Sequence, residues 1–215
     1  TLATNGGAYY IDTNEAAATN LIQDTVGILT VATNLNGPIG IDYYAPSNSL
    51  LISYNYNGSG LPFNLARIYT NINIVGGVPV TNVVITNWSA ISNITDEVKL
   101  ATVKTSGGLL TNSAGFTNGD LFFGNETVVG YLSASGTRSN LNWAMLTNST
   151  VTDPLPLRGS LYVDQTGTFG NNLIAVASGN SATPDLKPVW RVDAHGHPTL
   201  VTNIDAGHLE GVITL

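Results

Sequence analysis

Gly119-Asp-Leu-Phe-Phe-Gly-Asn125, followed by Val129-Gly-Tyr-Leu-Ser-Ala-Ser-Gly136, is a glycine-led apolar run, a gap, and an apolar segment that ends in a turn. The same order of residue types occurs in residues 48–54 with 66–69, and in residues 172–177 with 189–196. Repetition of this kind predicts a chain built from similar units, because each unit buries its apolar face against the next.

The rest of the chain also consists of short apolar runs separated by turn-forming residues. Short runs of four to seven residues rich in Val, Ile, Leu, Tyr and Thr are bounded by Gly, Asn, Asp and Pro, and spacing at i, i+3 and i+4 is almost absent. The sequence therefore predicts an all-β protein. Residues 14–21, with Glu15-Ala-Ala-Ala in the middle, are the one stretch that favours a helical turn.

Aligning the repeats predicts three four-stranded antiparallel meanders. Their strands are residues 39–43, 50–54, 65–69 and 81–88; residues 97–103, 120–124, 128–132 and 141–146; and residues 159–164, 172–177, 188–193 and 198–203. Meanders of this size are typical of β-propeller blades. The predicted fold class is a β-propeller-like array in one domain, with a partial blade at 1–35, blades at 36–95, 96–150 and 151–207, and the first strand of a further blade at 208–215.

Two explanations account for the partial blades. Either a partner chain or a further segment completes the propeller, or the chain closes on itself by pairing the strand at His208 with the N-terminal strands. We favour the first explanation, because unpaired strand edges recruit other chains. It implies a protein partner or self-association.

Composition excludes several classes of protein. A hydrophobic fraction of 43% with 10% charged residues predicts a folded chain. The net charge of −7 argues against binding to nucleic acid, whose phosphates would be repelled. There is no cysteine and no apolar run long enough to span a bilayer. Abundant Thr, Asn, Ser and Gly with little Lys predicts a secreted protein, extracellular or periplasmic.

Several motifs resemble one family. Gly40-Ile-Asp with Leu50-Leu-Ile-Ser, Leu161-Tyr-Val-Asp with Leu173-Ile-Ala-Val, Trp190-Arg-Val-Asp-Ala-His-Gly-His-Pro, and His208-Leu-Glu-Gly-Val are similar to secreted bacterial β-propellers of the NHL and gluconolactonase-like group. The resemblance covers residues 36–215. It implies a propeller fold, and for the gluconolactonase-like members a divalent metal at the mouth of the central channel.

The metal candidates follow from that resemblance. The family binds its metal through the glutamate of a Glu-Gly-Pro motif, and here the motif reads Glu210-Gly-Val. The family's Asn and Asp ligands find no clear counterpart, although Asp42 and Glu97 occupy comparable inner-strand positions. Glu210, His208 and Asp42 are the predicted ligands for calcium or another divalent metal.

Two loops rich in polar residues admit either a turn or an ion site. Residues 193–198 read Asp-Ala-His-Gly-His-Pro and place His195 and His197 beside a carboxylate, a set of side chains that can bind zinc. However, Asp, Gly and Pro are also ordinary turn residues. Residues 164–171 offer oxygen ligands for calcium but lack the spacing of an EF-hand. We favour a turn in both. The chain has no Gly-x-Ser-x-Gly nucleophile motif.

Five asparagines stand in Asn-x-Ser/Thr sequons, the acceptor pattern for N-glycosylation: Asn57, Asn87, Asn93, Asn125 and Asn148. Exposed tyrosines elsewhere suit stacking on sugars, so carbohydrate is a candidate ligand.

The sequence favours an exported binding or structural module of the propeller type, with ligand contact where loops meet at one rim. Two alternatives come from other classes. One is a metal-dependent hydrolase or lactonase that uses Glu210. The other is a subunit of an extracellular filament or surface assembly. We favour a protein without enzymatic activity.

Overall fold

The computed structural model describes residues 6–11, 28–35, 38–54, 64–90, 99–149, 151–153, 155–157, 160–178, 186–205 and 212. These residues form fourteen β-strands and one short 3-10 turn, Ala45–Ser47. No α-helix occurs among them, so the all-β prediction is confirmed. Within the same ranges no helix has the length and apolar character needed to cross a membrane.

The strands form four antiparallel sheets. An N-terminal sheet pairs β1 (Gly6–Ile11) with β2 (Ile28–Leu35). Sheet 1 contains β3 (Ile41–Tyr44), β4 (Ser49–Tyr54), β5 (Asn64–Val75) and β6 (Val78–Ala90). Sheet 2 contains β7 (Leu100–Thr102), β8 (Leu121–Asn125), β9 (Val128–Leu132) and β10 (Ser139–Met145). Sheet 3 contains β11 (Ser160–Val163), β12 (Leu173–Val176), β13 (Leu186–Val192) and β14 (Pro198–Asp205).

Sheets 1, 2 and 3 are the three predicted meanders, with strands paired in chain order. The largest difference lies in β5 and β6, which extend well beyond the predicted residues 65–69 and 81–88. A tight turn at Gly76-Gly77 joins them, and both glycines have positive φ, +59° and +81°. Such a turn matches the twist of paired strands, so the pairing continues up to the turn.

The other predicted elements are tested only in part. Gly107-Gly108 lies in a turn within the long loop between β7 and β8. The possible helical turn at 14–21 and the strand at His208 lie outside the described residues. The division into blades stays a prediction.

Two hydrophobic cores hold the three large sheets together. The larger core lies between sheets 2 and 3 and includes Phe122, Trp190 and Leu173, all fully buried. The smaller core lies between sheets 1 and 2 and includes Leu51, Leu65 and Phe123. Sheet 2 is therefore covered on both faces. This explains why the Leu-Phe-Phe run of β8 is continuously apolar instead of alternating.

The first strands of the three sheets lie side by side, because β7 contacts β3 and β11. Strand β7 is short and entirely buried. Consequently the loops that leave β7 and β11 begin near each other, and this proximity forms the site described next.

Candidate functional site

A carboxylate on β3 joins sheet 1 to sheet 2. Asp42 accepts hydrogen bonds from the Thr102 backbone N–H at 2.6 Å and from the Thr102 hydroxyl at 2.9 Å. The Lys104 ammonium lies 2.7 Å and 2.8 Å from the two Asp42 oxygens. Both charged side chains are about one-fifth exposed. The pair fixes the start of the β7–β8 loop to the neighbouring sheet.

Asp42 also borders a cavity of about 280 Å³ between the first strands of the three sheets. The sequence predicts Asp42 as a metal ligand on an inner strand, and that role stays a prediction. The charge of Asp42 is balanced by Lys104, and Lys99 lines the same cavity. A divalent ion at Asp42 would have to displace that ammonium.

The metal site itself stays a prediction. His208, Glu210 and Glu97 lie outside the described residues, so the structure does not test whether they approach Asp42. Among the residues that the structure describes, no three His, Asp or Glu side chains come together as a metal site.

The histidine loop is a turn between β13 and β14. Asp193 Oδ1 accepts hydrogen bonds from the backbone N–H groups of His195 and His197 at 2.9 Å and 3.0 Å. Burial acts to raise the pKa of Asp193, but these hydrogen bonds and the nearby His197 ring outweigh it and hold the pKa below its usual value. Gly196 has φ +82°, and a Cβ there would lie 2.6 Å from the Trp143 carbonyl oxygen. The predicted turn is present and Gly196 packs closely on sheet 2, while the ion site stays a prediction.

The loop after β11 is organised by one buried carboxylate. Asp164 Oδ2 accepts from the backbone N–H groups of Phe169 and Asn171 at 2.7 Å and 3.0 Å. Its Oδ1 accepts from the N–H and hydroxyl of Thr166. Backbone N–H groups and the Thr166 hydroxyl thus donate to both Asp164 oxygens, and the calcium site stays a prediction.

The β7–β8 loop has a similar internal anchor. Asp120, 4% exposed, accepts hydrogen bonds from the Thr117 and Ala134 backbone N–H groups and from the Tyr131 hydroxyl. Sequence reasoning missed this residue and Lys104 as anchors. The sequence feature that could have identified Asp120 is its position directly before the apolar residues of β8.

The two anchored loops enclose a cleft of about 380 Å³, here named the loop cleft. One wall is formed by the β7–β8 loop, with Lys104, Thr105, Ser106, Leu109, Asn112 and Ser113. The other wall is formed by Gln165 and Asn171 from the β11–β12 loop. Both loops join the first strand of a sheet to its second strand, so the cleft combines equivalent positions of two successive sheets.

Hydrogen bonds between the walls fix the floor of the loop cleft. Asn112 donates to the Asn171 carbonyl oxygen at 2.8 Å, and the Ser113 hydroxyl donates to the Asn171 side-chain oxygen. The Asn112 oxygen accepts from the backbone N–H groups of Ala114 and Phe116. These contacts hold two loops from different sheets at a constant separation.

The remaining lining groups face solvent and suit a neutral ligand. The side chains of Ser106 and Gln165 are exposed and make no hydrogen bond to another described residue. Leu109, 59% exposed, adds an apolar surface. The single lysine of the cleft is neutralised by Asp42. The loop cleft can therefore exchange hydrogen bonds with a ligand without selecting for charge.

The structure describes the side chains of two of the five sequon asparagines, Asn125 and Asn148. The Asn125 amide nitrogen, the atom that a glycan would modify, donates to the Leu141 carbonyl oxygen at 2.9 Å. The Asn148 oxygen accepts from the Val151 backbone N–H. Asn57 and Asn93 lie outside the described residues, and the backbone alone is described at Asn87. Glycosylation stays a prediction.

Comparisons of the chain with protein-family models, with curated proteins and with solved structures find no match. The resemblance to NHL and gluconolactonase-like propellers accordingly stays a prediction. The candidate function is argued from the site alone.

Proposed function

We propose that this chain is an exported binding module of the β-propeller type that holds a neutral, hydroxyl-rich ligand, of carbohydrate class, in the loop cleft. Secretion is inferred from the Thr/Asn-rich, lysine-poor composition.

The observation that carries the proposal is the lining of the loop cleft. The Ser106 hydroxyl and the Gln165 amide supply both donors and acceptors, as the hydroxyl groups of a sugar require. The ion pair of Asp42 and Lys104 leaves no net charge there. Binding sites are commonly carried by loops on a rigid scaffold, and both loops here are fixed by buried carboxylates.

The propeller part of the proposal is supported by three features of the described residues. Sheets 1, 2 and 3 are successive four-stranded meanders. Neighbouring sheets pack face to face through shared cores. Their first strands lie side by side, as the innermost strands of propeller blades do.

The experiment is a binding screen of the purified chain against immobilised neutral and acidic oligosaccharides, followed by calorimetry on any sugar retained. Gln165→Ala and Ser106→Ala remove exposed side chains that make no hydrogen bond to another described residue. We therefore expect each change to weaken binding about tenfold, the effect of roughly one lost hydrogen bond to a ligand, and to leave stability unchanged. Thr199→Ala, an exposed change on β14, is the matched control. Retention of acidic sugars alone, or equal binding by all variants, would contradict the proposal.

A further inference from the structure

The hairpin of β5 and β6 projects from sheet 1 as a two-stranded ribbon. Strand β4 pairs with β5 only as far as Ile68, whereas β5 and β6 remain paired from Tyr69 with Val84 to Val75 with Val78. Residues 69–84, here named the arm, therefore extend about 20 Å beyond the end of β4. A two-stranded ribbon is marginally stable in water by itself.

The arm exposes an unusual amount of apolar surface. Residues 71–80 are all exposed. Ile72, Ile74, Val75 and Val78 are each more than 60% exposed, and Val80 is 39% exposed. Ile72 and Ile74 lie on one face of the ribbon, while Val75, Val78 and Val80 lie on the other, because successive residues of a strand alternate. Both faces thus present aliphatic side chains.

The arm carries no charge, and within the described part of the chain no strand pairs with its outer edges. Strand β6 is the last strand of sheet 1, and β2 contacts it without pairing with it. Beyond Ile68 the outer edge of β5 has no paired strand among the described residues. No Asp, Glu, Lys, Arg or His occurs between Arg67 and Asp96. Lysines on edge strands normally prevent pairing with another chain, and here they are absent.

We propose that the arm is a self-association element that pairs, edge to edge, with the arm of a second copy of this chain. Two copies that each carry a net charge of −7 repel each other, so an uncharged stretch is the favoured place for a contact between them. The arm provides that stretch. A two-fold contact places the same residues of both copies against each other, and aliphatic side chains with open backbone edges suit such a contact.

A membrane is the less suitable occupant of the arm. In hydrocarbon the open backbone edges would remain without hydrogen-bond partners, which is costly. The arm also lacks the Lys and Arg side chains that attract anionic headgroups. Pairing with a second arm satisfies one edge of each ribbon and brings its aliphatic side chains beside those of the second copy as cross-strand neighbours.

The test measures the oligomeric state of the 215-residue chain by sedimentation equilibrium. We expect a species of twice the chain mass, and we expect Val80→Lys to weaken its association at least tenfold. Val201→Lys is the matched control: Val201 is 42% exposed and also lies on the last strand of a sheet, β14. It should leave the dimer unchanged, and circular dichroism checks that both variants fold.

A second measurement locates the contact. The chain has no cysteine, so Val80→Cys and Val201→Cys can each carry one nitroxide label. Pulsed electron resonance should give a shorter distance between copies at position 80 than at position 201. A monomer at all concentrations, a dimer unaffected by Val80→Lys, or a monomer that sediments with phosphatidylcholine vesicles would overturn the proposal. None of these results bears on sugar binding at the loop cleft.

Discussion

Phe122 and Phe123 are consecutive residues of β8, and their side chains pack into different hydrophobic cores. Phe122 belongs to the core between sheets 2 and 3, and Phe123 belongs to the core between sheets 1 and 2. Both are fully buried. One strand therefore connects three sheets, because neighbouring side chains point to opposite faces.

Phe122→Ala and Phe123→Ala should each lower the free energy of unfolding by about 3–5 kcal/mol, the usual cost of deleting a buried ring. The two variants should differ in where the structure loosens. Hydrogen exchange should quicken mainly in β12 and β13 for Phe122→Ala, and mainly in β4 and β5 for Phe123→Ala. The same exchange pattern in both variants would contradict the assignment to separate cores.

Gly130 pairs directly with Phe123 on the neighbouring strand. A Cβ at Gly130 would lie 2.1 Å from the Phe123 Cε2 atom, so Gly130→Ala must displace the ring. We expect a loss of about 1–3 kcal/mol in urea unfolding, the usual cost of overpacking. Adding Phe123→Leu to Gly130→Ala should cost less than the two single changes together. Exact additivity would show that the ring does not occupy this space.

Lys104→Met removes the cation that balances Asp42. Because the pair is about four-fifths buried, its loss should cost about 1–3 kcal/mol, between the values for exposed and fully buried pairs. The double variant Asp42→Asn with Lys104→Met should recover part of this loss, since no unpaired carboxylate remains. Urea unfolding of the four proteins gives the coupling energy. A double variant no more stable than Lys104→Met would argue against the pairing.

Tyr131 should make the stability depend on pH in the alkaline range. Burial, followed by the charge of Asp120 and the hydrogen bond to it, raises the pKa of Tyr131 from 10.0 to about 12. The folded chain binds this proton more tightly than the unfolded chain does. The stabilisation is therefore complete below pH 10 and is lost as the pH rises from 10 to about 12.

Urea unfolding at several pH values in that range tests this expectation, with Tyr131→Phe as the control. The control should lose less stability on raising the pH than the parent chain does. The stability of the control should still depend on pH to some extent, because burial also raises the pKa of Tyr44. Identical pH profiles for the two proteins would be inconsistent with a shifted Tyr131.

The strand pattern was accessible from sequence because it depends on local chemistry. The glycine and asparagine residues that bound the apolar runs predicted the meander order of all three large sheets. The apolar run at Leu121-Phe122-Phe123 predicted a strand, and its lack of alternation reflects burial on both faces. The length of the arm was missed, because its aliphatic residues do not cease where sheet 1 ends.

The candidate site depended on contacts that no local pattern encodes. Asp42 and Lys104 are far apart in the chain and come together only because β7 lies beside β3. Asn112 and Asn171 meet only because sheets 2 and 3 share a core. By itself the sequence determined the all-β class, the strand order and the uncharged stretch, since these follow from side-chain type and spacing. The tertiary structure alone decided which loops adjoin, which carboxylates are anchors, and which apolar side chains remain exposed, because packing between distant sheets determines each of them.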